Sequence, residues 1–307
     1  MPPLGRPEDP LIQLQLRENS LALRPGQPVV MGILNIGNDS VADSTHLVTV
    51  REQVERGLEL AAAGAQVIDV GVLSGRTDTA AVDPAEEAAR FVPVVRELTQ
   101  AGLTVSVDSW RPQPVEAALE AGAHLINDTS GLRDPAVAKL AAASGAGLVV
   151  MHTRAAPKQR YFPAYEDPMR DVMEFLEERV TLATELGVKA GQIVLDPGLD
   201  YAKAPQDSIT VLRRLDELTA LQHPVLLAIS RKYFIGMLTG ALPQQRLAGT
   251  IAALEFGVSR GAQIVRVHDV ADVTQYLKLR AALHGDGAAE FVGDIDDERL
   301  KWIAPKP

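Results

Sequence analysis

Eight short apolar stretches of the sequence each end at a polar or charged residue, and segments with helical periodicity separate them. The predicted strands cover residues 28–35, 66–71, 103–108, 124–127, 147–151, 192–196, 224–229 and 263–267. They are rich in Val, Ile and Leu and nearly continuously apolar, which is typical of parallel strands covered on both faces. Eight successive β/α units close into a TIM (β/α)8 barrel, the α/β fold class that we predict here for a single domain.

The length of 307 residues fits one barrel with flanking segments. Residues 1–27 are predicted to cap the barrel, 28–283 to form it and 284–307 to follow as a C-terminal tail. Within the first segment, residues 11–24 alternate weakly and predict a small hairpin that plugs the N-terminal end. We interpret the tail as a surface segment docked by Phe291 and Trp302, with a partner-binding tail as the alternative.

Composition narrows the functional class. The net charge of −10 argues against a nucleic-acid partner, although it leaves room for a local basic pocket. The absence of cysteine excludes disulfides, thiolate metal sites and a cysteine nucleophile. No secretory signal pattern and no 18-residue apolar run occur, so we expect a cytoplasmic protein that binds no membrane.

Three polar residues end predicted strands and should meet at the mouth of the barrel, where TIM-barrel active sites lie. They are Asp108, Asn127 and Asp196. Two carboxylates and an amide can recognise the donor and acceptor edge of a flat heterocycle, such as a fused ring with a 2-amino-4-oxo edge. The alternative is that each side chain caps the loop or helix that follows it.

The segments after the last two predicted strands are basic. They contain Ser230, Arg231, Lys232, Arg266 and His268. Loops at these positions often bind phosphate in TIM barrels, so the group suits a phosphate or pyrophosphate. Arg266 and His268 are two residues apart and should lie on one strand face. The alternative is a network of ion pairs with Asp196 or Asp269.

The loops after the first two predicted strands are small and polar, and loops of this kind can act as lids. Asn35 begins the first and could coordinate a metal-bound phosphate, while Arg76 in the second could meet developing negative charge. Simple surface connections are the alternative. Met151 and Phe234 are interpreted as packing residues, although Met151 also counts as a substrate-binding candidate, and for Lys203 both roles stay open.

Eight strings occur in an order and spacing that resemble the dihydropteroate synthase family over about residues 28–282. They are MGILNIGNDS, AAGAQVIDVG, VSVDSW, AGAHLINDTSGLRDP, VMHTR, IVLDPG, SRKYFIG and GAQIVRVHDV. The resemblance implies a transferase of folate biosynthesis. It would condense 6-hydroxymethyl-7,8-dihydropterin pyrophosphate with 4-aminobenzoate and release pyrophosphate, with Mg²⁺ as cofactor and a homodimer as the assembly.

The same resemblance assigns roles to residues. Asp108, Lys232, Arg76 and Arg266 would be catalytic. Asn127, Asp196, Met151, Asn35, His268, Ser230 and Asp39 would bind substrate. Within this set, Asn35, Arg266 and His268 would hold the pyrophosphate, and Asn35 would also be the metal ligand.

The chain departs from the family pattern mainly in the loops expected to form the aminobenzoate pocket. The departures are Gly37, Asn38 and Val41, then Val72, Leu73, Gly75 and Thr77, then Asp200, Tyr201 and Ala202, and finally Ala228. We expect pterin pyrophosphate binding to persist while the second site is weakened or retuned, with Asp200 disfavouring an anionic benzoate. The alternatives are a pterin-binding paralogue with weak or no synthase activity, an enzyme with another amine acceptor, or a relative of corrinoid methyltransferases. Lys232, Arg266 and His268 argue against the last.

Overall fold

The computed structural model describes residues 11–37, 49–72 and 82–285. Its strands are β1 Ile12–Leu16, β2 Asn19–Leu23, β3 Val29–Asn35, β4 Val67–Gly71, β5 Val105–Asp108, β6 Leu125–Asp128, β7 Gly147–Met151, β8 Ile193–Asp196, β9 Val225–Ala228 and β10 Ala262–Val267. Its α-helices are α1 Val50–Ala62, α2 Pro84–Gln100, α3 Pro112–Glu120, α4 Pro135–Ser144, α5 Pro168–Glu185, α6 Pro205–Arg213, α7 Tyr233–Thr239, α8 Leu247–Val258 and α9 Val270–His284.

Strands β3 to β10 form a closed parallel barrel. Its strand order is β10-β3-β4-β5-β6-β7-β8-β9, and Ile264 of β10 lies opposite Val29 of β3 where the barrel closes. The predicted TIM-barrel fold is therefore confirmed. Among the described residues, no helix is long and apolar enough to cross a membrane.

The strand boundaries agree with the predictions to within two residues, and local hydrogen bonds explain the differences. β5 begins at Val105 and not at 103, because the Leu103 N–H donates to the Leu98 carbonyl and closes the end of α2 (3.1 Å). β6 runs one residue further than predicted, to Asp128, which pairs with Val150 of β7.

Helix boundaries follow from capping residues. Asp83, Asp134 and Asp167 precede a proline at the first turn of α2, α4 and α5, and each carboxylate accepts backbone N–H bonds that the helix cannot satisfy itself. Gly64 and Gly187 follow α1 and α5 and have positive φ, the backbone conformation with which many helices end. These caps fix where each helix returns the chain to the barrel.

The barrel interior is filled from below by the N-terminal hairpin. β1 and β2 pair antiparallel, and Leu14, Leu16 and Leu23 are buried in a cluster with interior residues of the barrel such as Met31 and Val149. A second, larger cluster lies between the strands and the surrounding helices and includes Phe91. The hairpin closes the N-terminal end, so a ligand can enter the barrel at the opposite end, where the strands terminate.

Candidate active site

Side-chain alternation places a group of polar residues on the interior face at the mouth of the barrel. Because strand side chains alternate with period two, the residue two positions beyond an interior apolar residue also points inward. Val67, Leu125, Val149, Val194 and Ile264 belong to the interior cluster, and two residues after them come Asp69, Asn127, Met151, Asp196 and Arg266. Asp108 ends β5 on the same face, opposite to Val105 and Val107, which pack against the helices.

Arg266 lies at the centre of this group and bridges two carboxylates. Its Nε donates to Asp69 Oδ2 (2.6 Å) and its terminal NH2 donates to Asp108 Oδ2 (2.8 Å). Burial disfavours the cation, but Asp69 and Asp108 outweigh it and raise the pKa of the guanidinium. Arg266 is therefore a permanently charged group between β4 and β5.

The environment of Asp108 makes it a proton-titrating group near neutral pH. Burial, reinforced by the nearby charge of Asp69, raises its pKa to about 7, although Arg266 acts in the opposite direction. Thr129, after β6, donates to its other oxygen (3.4 Å). A carboxyl with a strongly shifted pKa in a cleft is typical of a functional site.

Asp69 is the site residue that the sequence analysis missed. It is fully buried, and besides Arg266 it accepts a hydrogen bond from the Asn127 side chain (Nδ2 to Oδ2, 3.1 Å). The signal was present in the sequence, since a carboxylate in the middle of the apolar strand VIDVG has to find a partner when the strand is buried on both faces.

Asp196 and Lys232 face each other across the ends of β8 and β9. Asp196 Oδ1 accepts the Gly198 N–H (2.7 Å), so the capping alternative holds for one of its oxygens. Lys232 donates to the Leu199 carbonyl (2.7 Å), and its ammonium lies 4.8 Å from the centre of the Tyr201 ring. Burial raises the pKa of Asp196 and lowers that of Lys232, and each charge moderates the shift of the other.

The loops after β9 and β10 are joined by hydrogen bonds. The His268 backbone N–H donates to Ser230 Oγ (3.2 Å), and Nδ1 of the same residue lies 2.9 Å from that oxygen. Arg231 forms a two-point ion pair with Asp269 (3.0 and 2.5 Å). The ion-pair alternative therefore applies to Arg231. Arg266 is also ion-paired, to Asp69 and Asp108, and it stays a basic candidate for an anionic ligand together with Lys232 and His268.

A buried lysine supports the loop after β8. Lys203 donates to His152 Nδ1 (2.6 Å) and to the Gly198 carbonyl (3.0 Å), and His152 Nε2 lies 2.8 Å from Asp171 of α5. Gly198 has φ +65°, and a Cβ there would overlap the His152 carbonyl oxygen. Of the two roles left open for Lys203, these contacts favour the structural one.

Two departures from the family pattern have visible contacts. The Asp200 carboxylate accepts the Tyr233 N–H at the start of α7 and the Ser208 hydroxyl (3.3 Å), so its charge is directed at a helix N-terminus. A Cβ on Gly37 would overlap the Val72 carbonyl oxygen, so glycine lets the first two loops approach closely. That Asp200 disfavours a benzoate stays a prediction.

A cavity of about 270 Å³ opens at the mouth. It is lined by residues that follow β5 to β9, among them Trp110, Thr129, Tyr161, Phe162, Tyr201 and Lys232. Phe234 packs in the outer core and Met151 is almost fully buried at the end of β7, in keeping with their interpretation as packing residues. Asp39 and Arg76 lie outside the described residues, and their roles stay predictions.

A magnesium site needs oxygen ligands, and Mg²⁺ commonly takes one or two from protein and the rest from substrate phosphates and water. Asn35 supplies an amide side chain at the end of β3. The described part of the chain has no group of three or more His, Asp or Glu residues arranged to hold a metal ion. The single amide donor of Asn35 fits an ion that binds together with a polyphosphate, which supplies further oxygen ligands.

Comparison with known proteins agrees with this geometry. The profile of the pterin binding enzyme family matches residues 31–268. The dihydropteroate synthase of Mycobacterium leprae is 39% identical over 282 residues, which are 89% of this chain and 99% of that protein.

Solved structures agree as well. A Xanthomonas albilineans dihydropteroate synthase with 4-aminobenzoic acid superimposes with a TM-score of 0.80 at 37% identity, covering 88% of this chain and 98% of that one. The Burkholderia cenocepacia dihydropteroate synthase complexed with 7,8-dihydropteroate superimposes with a TM-score of 0.81 at 33% identity, covering 90% of this chain and 98% of that one. The chain therefore belongs to the pterin binding enzyme family and, within it, to the dihydropteroate synthases.

Proposed function

We propose that the protein condenses 6-hydroxymethyl-7,8-dihydropterin pyrophosphate with 4-aminobenzoate and releases pyrophosphate, as a transferase of folate biosynthesis. The observation that carries this assignment is the Arg266 bridge between Asp69 and Asp108, beside Asn127 at the mouth of the barrel. This bridge places the side chains that can bind a flat polar ring next to a fixed cation that can bind an anionic group. The ligands named for the related structures support both substrate classes.

The pterin is assigned to the interior of the mouth. Asp108, Asn127 and Asp196 offer acceptor oxygens to the ring N–H and amino groups, and Lys232 offers a donor to a ring carbonyl or nitrogen. Met151, almost fully buried on the interior face, supplies apolar contact to the ring. Asn127 and Asp196 are buried, and the low dielectric constant of a buried site strengthens their polar contacts.

The pyrophosphate is assigned to the side of the mouth formed by β3 and β10. Arg266 and His268 would neutralise and hydrogen-bond its oxygens, with Ser230 orienting the imidazole. Asn35 would hold a Mg²⁺ ion together with the pyrophosphate, and this ion would supply further neutralisation of the leaving charge. Asp39 and Arg76 are assigned to the same region by their place in the sequence.

The reaction requires the bond between the pterin methylene and the pyrophosphate oxygen to break, with the electron pair leaving on the pyrophosphate. The amine nitrogen then bonds to the methylene carbon and releases one proton to water or to the pyrophosphate. Positive charge that develops on the pterin is stabilised by the carboxylates of Asp108 and Asp196 in their ionised forms. Negative charge that develops on the leaving group is stabilised by Arg266, and Arg76 is proposed to meet it from the second loop. No protein nucleophile is needed in this scheme.

We extend the proposal to organisation and assembly. The barrel unit would comprise residues 28–283, with a capping segment before it and a tail after it, and the protein would act in the cytoplasm. A homodimer is supported by exposed apolar side chains on α7 and α9, which flank α8. They are Met237, Leu238, Leu279 and Leu283.

The test is a coupled assay of the purified protein with the pterin pyrophosphate, Mg²⁺ and 4-aminobenzoate, which follows pyrophosphate and dihydropteroate together. We expect both products in equal amounts, and a loss of at least about 100-fold in kcat for Asp108→Asn, since a charge that stabilises the transition state is removed. Asp216→Asn, an exposed carboxylate before β9, is the matched control and should leave kcat unchanged.

Other outcomes separate the alternatives. Pyrophosphate without dihydropteroate would indicate another amine acceptor. Pterin binding with neither product would contradict the enzyme assignment and identify a pterin-binding paralogue.

A further inference from the structure

The amide of Asn127 is held by a fully buried carboxylate, that of Asp69. Asp69 is fully buried below the mouth, and its Oδ2 accepts the Asn127 Nδ2 hydrogen bond at 3.1 Å. Asp69 Oδ2 also accepts from Arg266 Nε, so it is an acceptor, and the amide nitrogen has to face it because the opposite orientation would place two acceptor oxygens together. The Asn127 Oδ1 atom is therefore turned away from Asp69, and it is buried with no hydrogen-bond partner among the described residues.

The same oxygen of Asp69 holds a second site residue. Arg266 Nε donates to Asp69 Oδ2 at 2.6 Å, while the other end of the guanidinium donates to Asp108 at 2.8 Å. Asp69 on β4 thus makes contact with β6 through Asn127 and with β10 through Arg266. One carboxylate oxygen fixes two groups that approach the proposed ligand from different strands.

We propose that Asp69 is a positioning residue of the synthase, which sets Asn127 to present its oxygen to a pterin N–H and holds Arg266 toward the leaving group. This inference rests on the proposed function. It assigns Asp69 no contact with substrate, and it attributes the effect to the acceptor oxygen at the Oδ2 position. An Asn127 freed from Asp69 would sample both amide orientations, and one of them presents N–H groups to the pterin N–H.

The first test compares two substitutions that differ in whether an acceptor oxygen remains. Asp69→Asn keeps a carbonyl oxygen that can accept from both Asn127 and Arg266, whereas Asp69→Leu fills similar space without an acceptor. We expect the KM for pterin pyrophosphate to stay within about 3-fold of wild type in Asp69→Asn and to rise by at least about 20-fold in Asp69→Leu. The KM for 4-aminobenzoate should change by less than about 3-fold in both.

The matched control is Glu87→Gln on α2. Glu87 is also fully buried and ion-paired to an arginine, Arg111, but it lies in the helical layer. The Glu87→Gln substitution should lower the melting temperature without changing the KM for either substrate. A pterin KM in Asp69→Leu equal to that of wild type would overturn the proposal, as would equal increases in Asp69→Asn and Asp69→Leu.

A second pair of variants tests the positioning role of Asp69 if Asp69→Leu does not fold. Asn127→Asp alone places two carboxylates against each other. Asp69→Asn combined with Asn127→Asp removes this repulsion and lets the amide nitrogen of residue 69 donate to residue 127, although that nitrogen cannot accept from Arg266 Nε. Residue 127 still presents an oxygen to the pterin in the double variant. We expect its kcat/KM to exceed that of Asn127→Asp by at least about 10-fold, and no recovery would contradict the positioning role.

The outcomes for the inference and for the proposed function are distinguishable. A wild-type protein that forms dihydropteroate, with all Asp69 variants equal to it in pterin KM, contradicts the inference alone. A wild-type protein that forms no product contradicts the proposed function. Calorimetric binding of the pterin pyrophosphate to the same variants then decides the inference separately, with weaker binding to Asp69→Leu than to Asp69→Asn as the supporting result.

Discussion

At the scale of single residues, the shape of Arg266 matters as much as its charge. Its guanidinium donates from Nε to Asp69 and from a terminal nitrogen to Asp108, so one rigid plane spans two strands. A lysine ammonium is a single point charge on a flexible stem and cannot occupy both positions in the same way. Arginine and lysine are therefore not interchangeable at this position.

We predict that Arg266→Lys lowers kcat/KM for the pterin substrate by roughly 10- to 100-fold. One charge-assisted hydrogen bond, about 1.5–3 kcal/mol, is lost in the buried network. Steady-state kinetics measures the change, and Arg51→Lys in the exposed Arg51–Glu55 pair of α1 is the control. Wild-type kinetics in Arg266→Lys would show that charge alone is sufficient.

The same residues show what a sequence can and cannot predict about a site. Asp108, Asn127 and Arg266 were identified because each lies at or near the end of a predicted strand, which is a local pattern. The Arg266–Asp69 contact joins residues 197 positions apart, and only the closure of the barrel brings them together. Asp69 therefore stayed unassigned although its strand was predicted to within one residue.

At the scale of elements, a chain of buried polar groups connects β7, α5 and the loop after β8. Asp171 on α5 contacts His152 (2.8 Å), and His152 contacts Lys203 (2.6 Å). Burial, followed by the charge of Lys203, lowers the pKa of His152 from 6.5 to about 4. Folding therefore disfavours the protonated imidazole.

We predict that this histidine makes the fold less stable in mild acid. The unfolded chain binds a proton at His152 near pH 6.5, and the folded chain binds it only near pH 4. The contribution of the neutral imidazole to the stability of the fold is therefore fully present above pH 6.5 and is lost as the pH falls toward 4. Between pH 7 and pH 5 the loss from this group is about 2 kcal/mol, at about 1.4 kcal/mol per pKa unit.

Urea unfolding at several pH values measures this effect. Burial lowers the pKa of Lys203 to about 7, so this residue contributes to the pH dependence of stability mainly above pH 7. In His152→Gln, the free energy of unfolding should change less with pH between 7 and 5 than in wild type, whatever the absolute stability. Parallel pH dependences for the two proteins would contradict the assignment.

The elements themselves were largely predictable because the signals for them are local. Apolar runs of Val, Ile and Leu mark the strands, and the helical periodicity of the segments between them marks the helices. The remaining boundary errors come from hydrogen bonds that depend on the neighbouring element, as at Leu103, whose N–H is used by the end of α2. For the same reason, the sequence alone did not decide whether Arg231 pairs with Asp269 or binds an anionic ligand.

At the scale of the whole molecule, the sector from α7 to α9 presents apolar side chains outward. Leu238 of α7 is 68% exposed and Leu283 of α9 is 76% exposed. α8 lies between them, since Tyr276 and Arg280 of α9 both donate to Glu255 of α8. Such side chains on neighbouring helices favour burial against a second copy of the chain.

We predict that Leu238→Glu weakens the proposed homodimer, because a buried, unpaired carboxylate opposes association. Light scattering coupled to size-exclusion chromatography should give twice the chain mass for wild type at micromolar concentration and a shift toward the single-chain mass for the variant. Leu58→Glu, at a leucine of α1 that is 41% exposed, is the matched control and should remain dimeric. A wild-type protein that is monomeric throughout, or equal dissociation by both variants, would contradict the assignment of this sector as the interface.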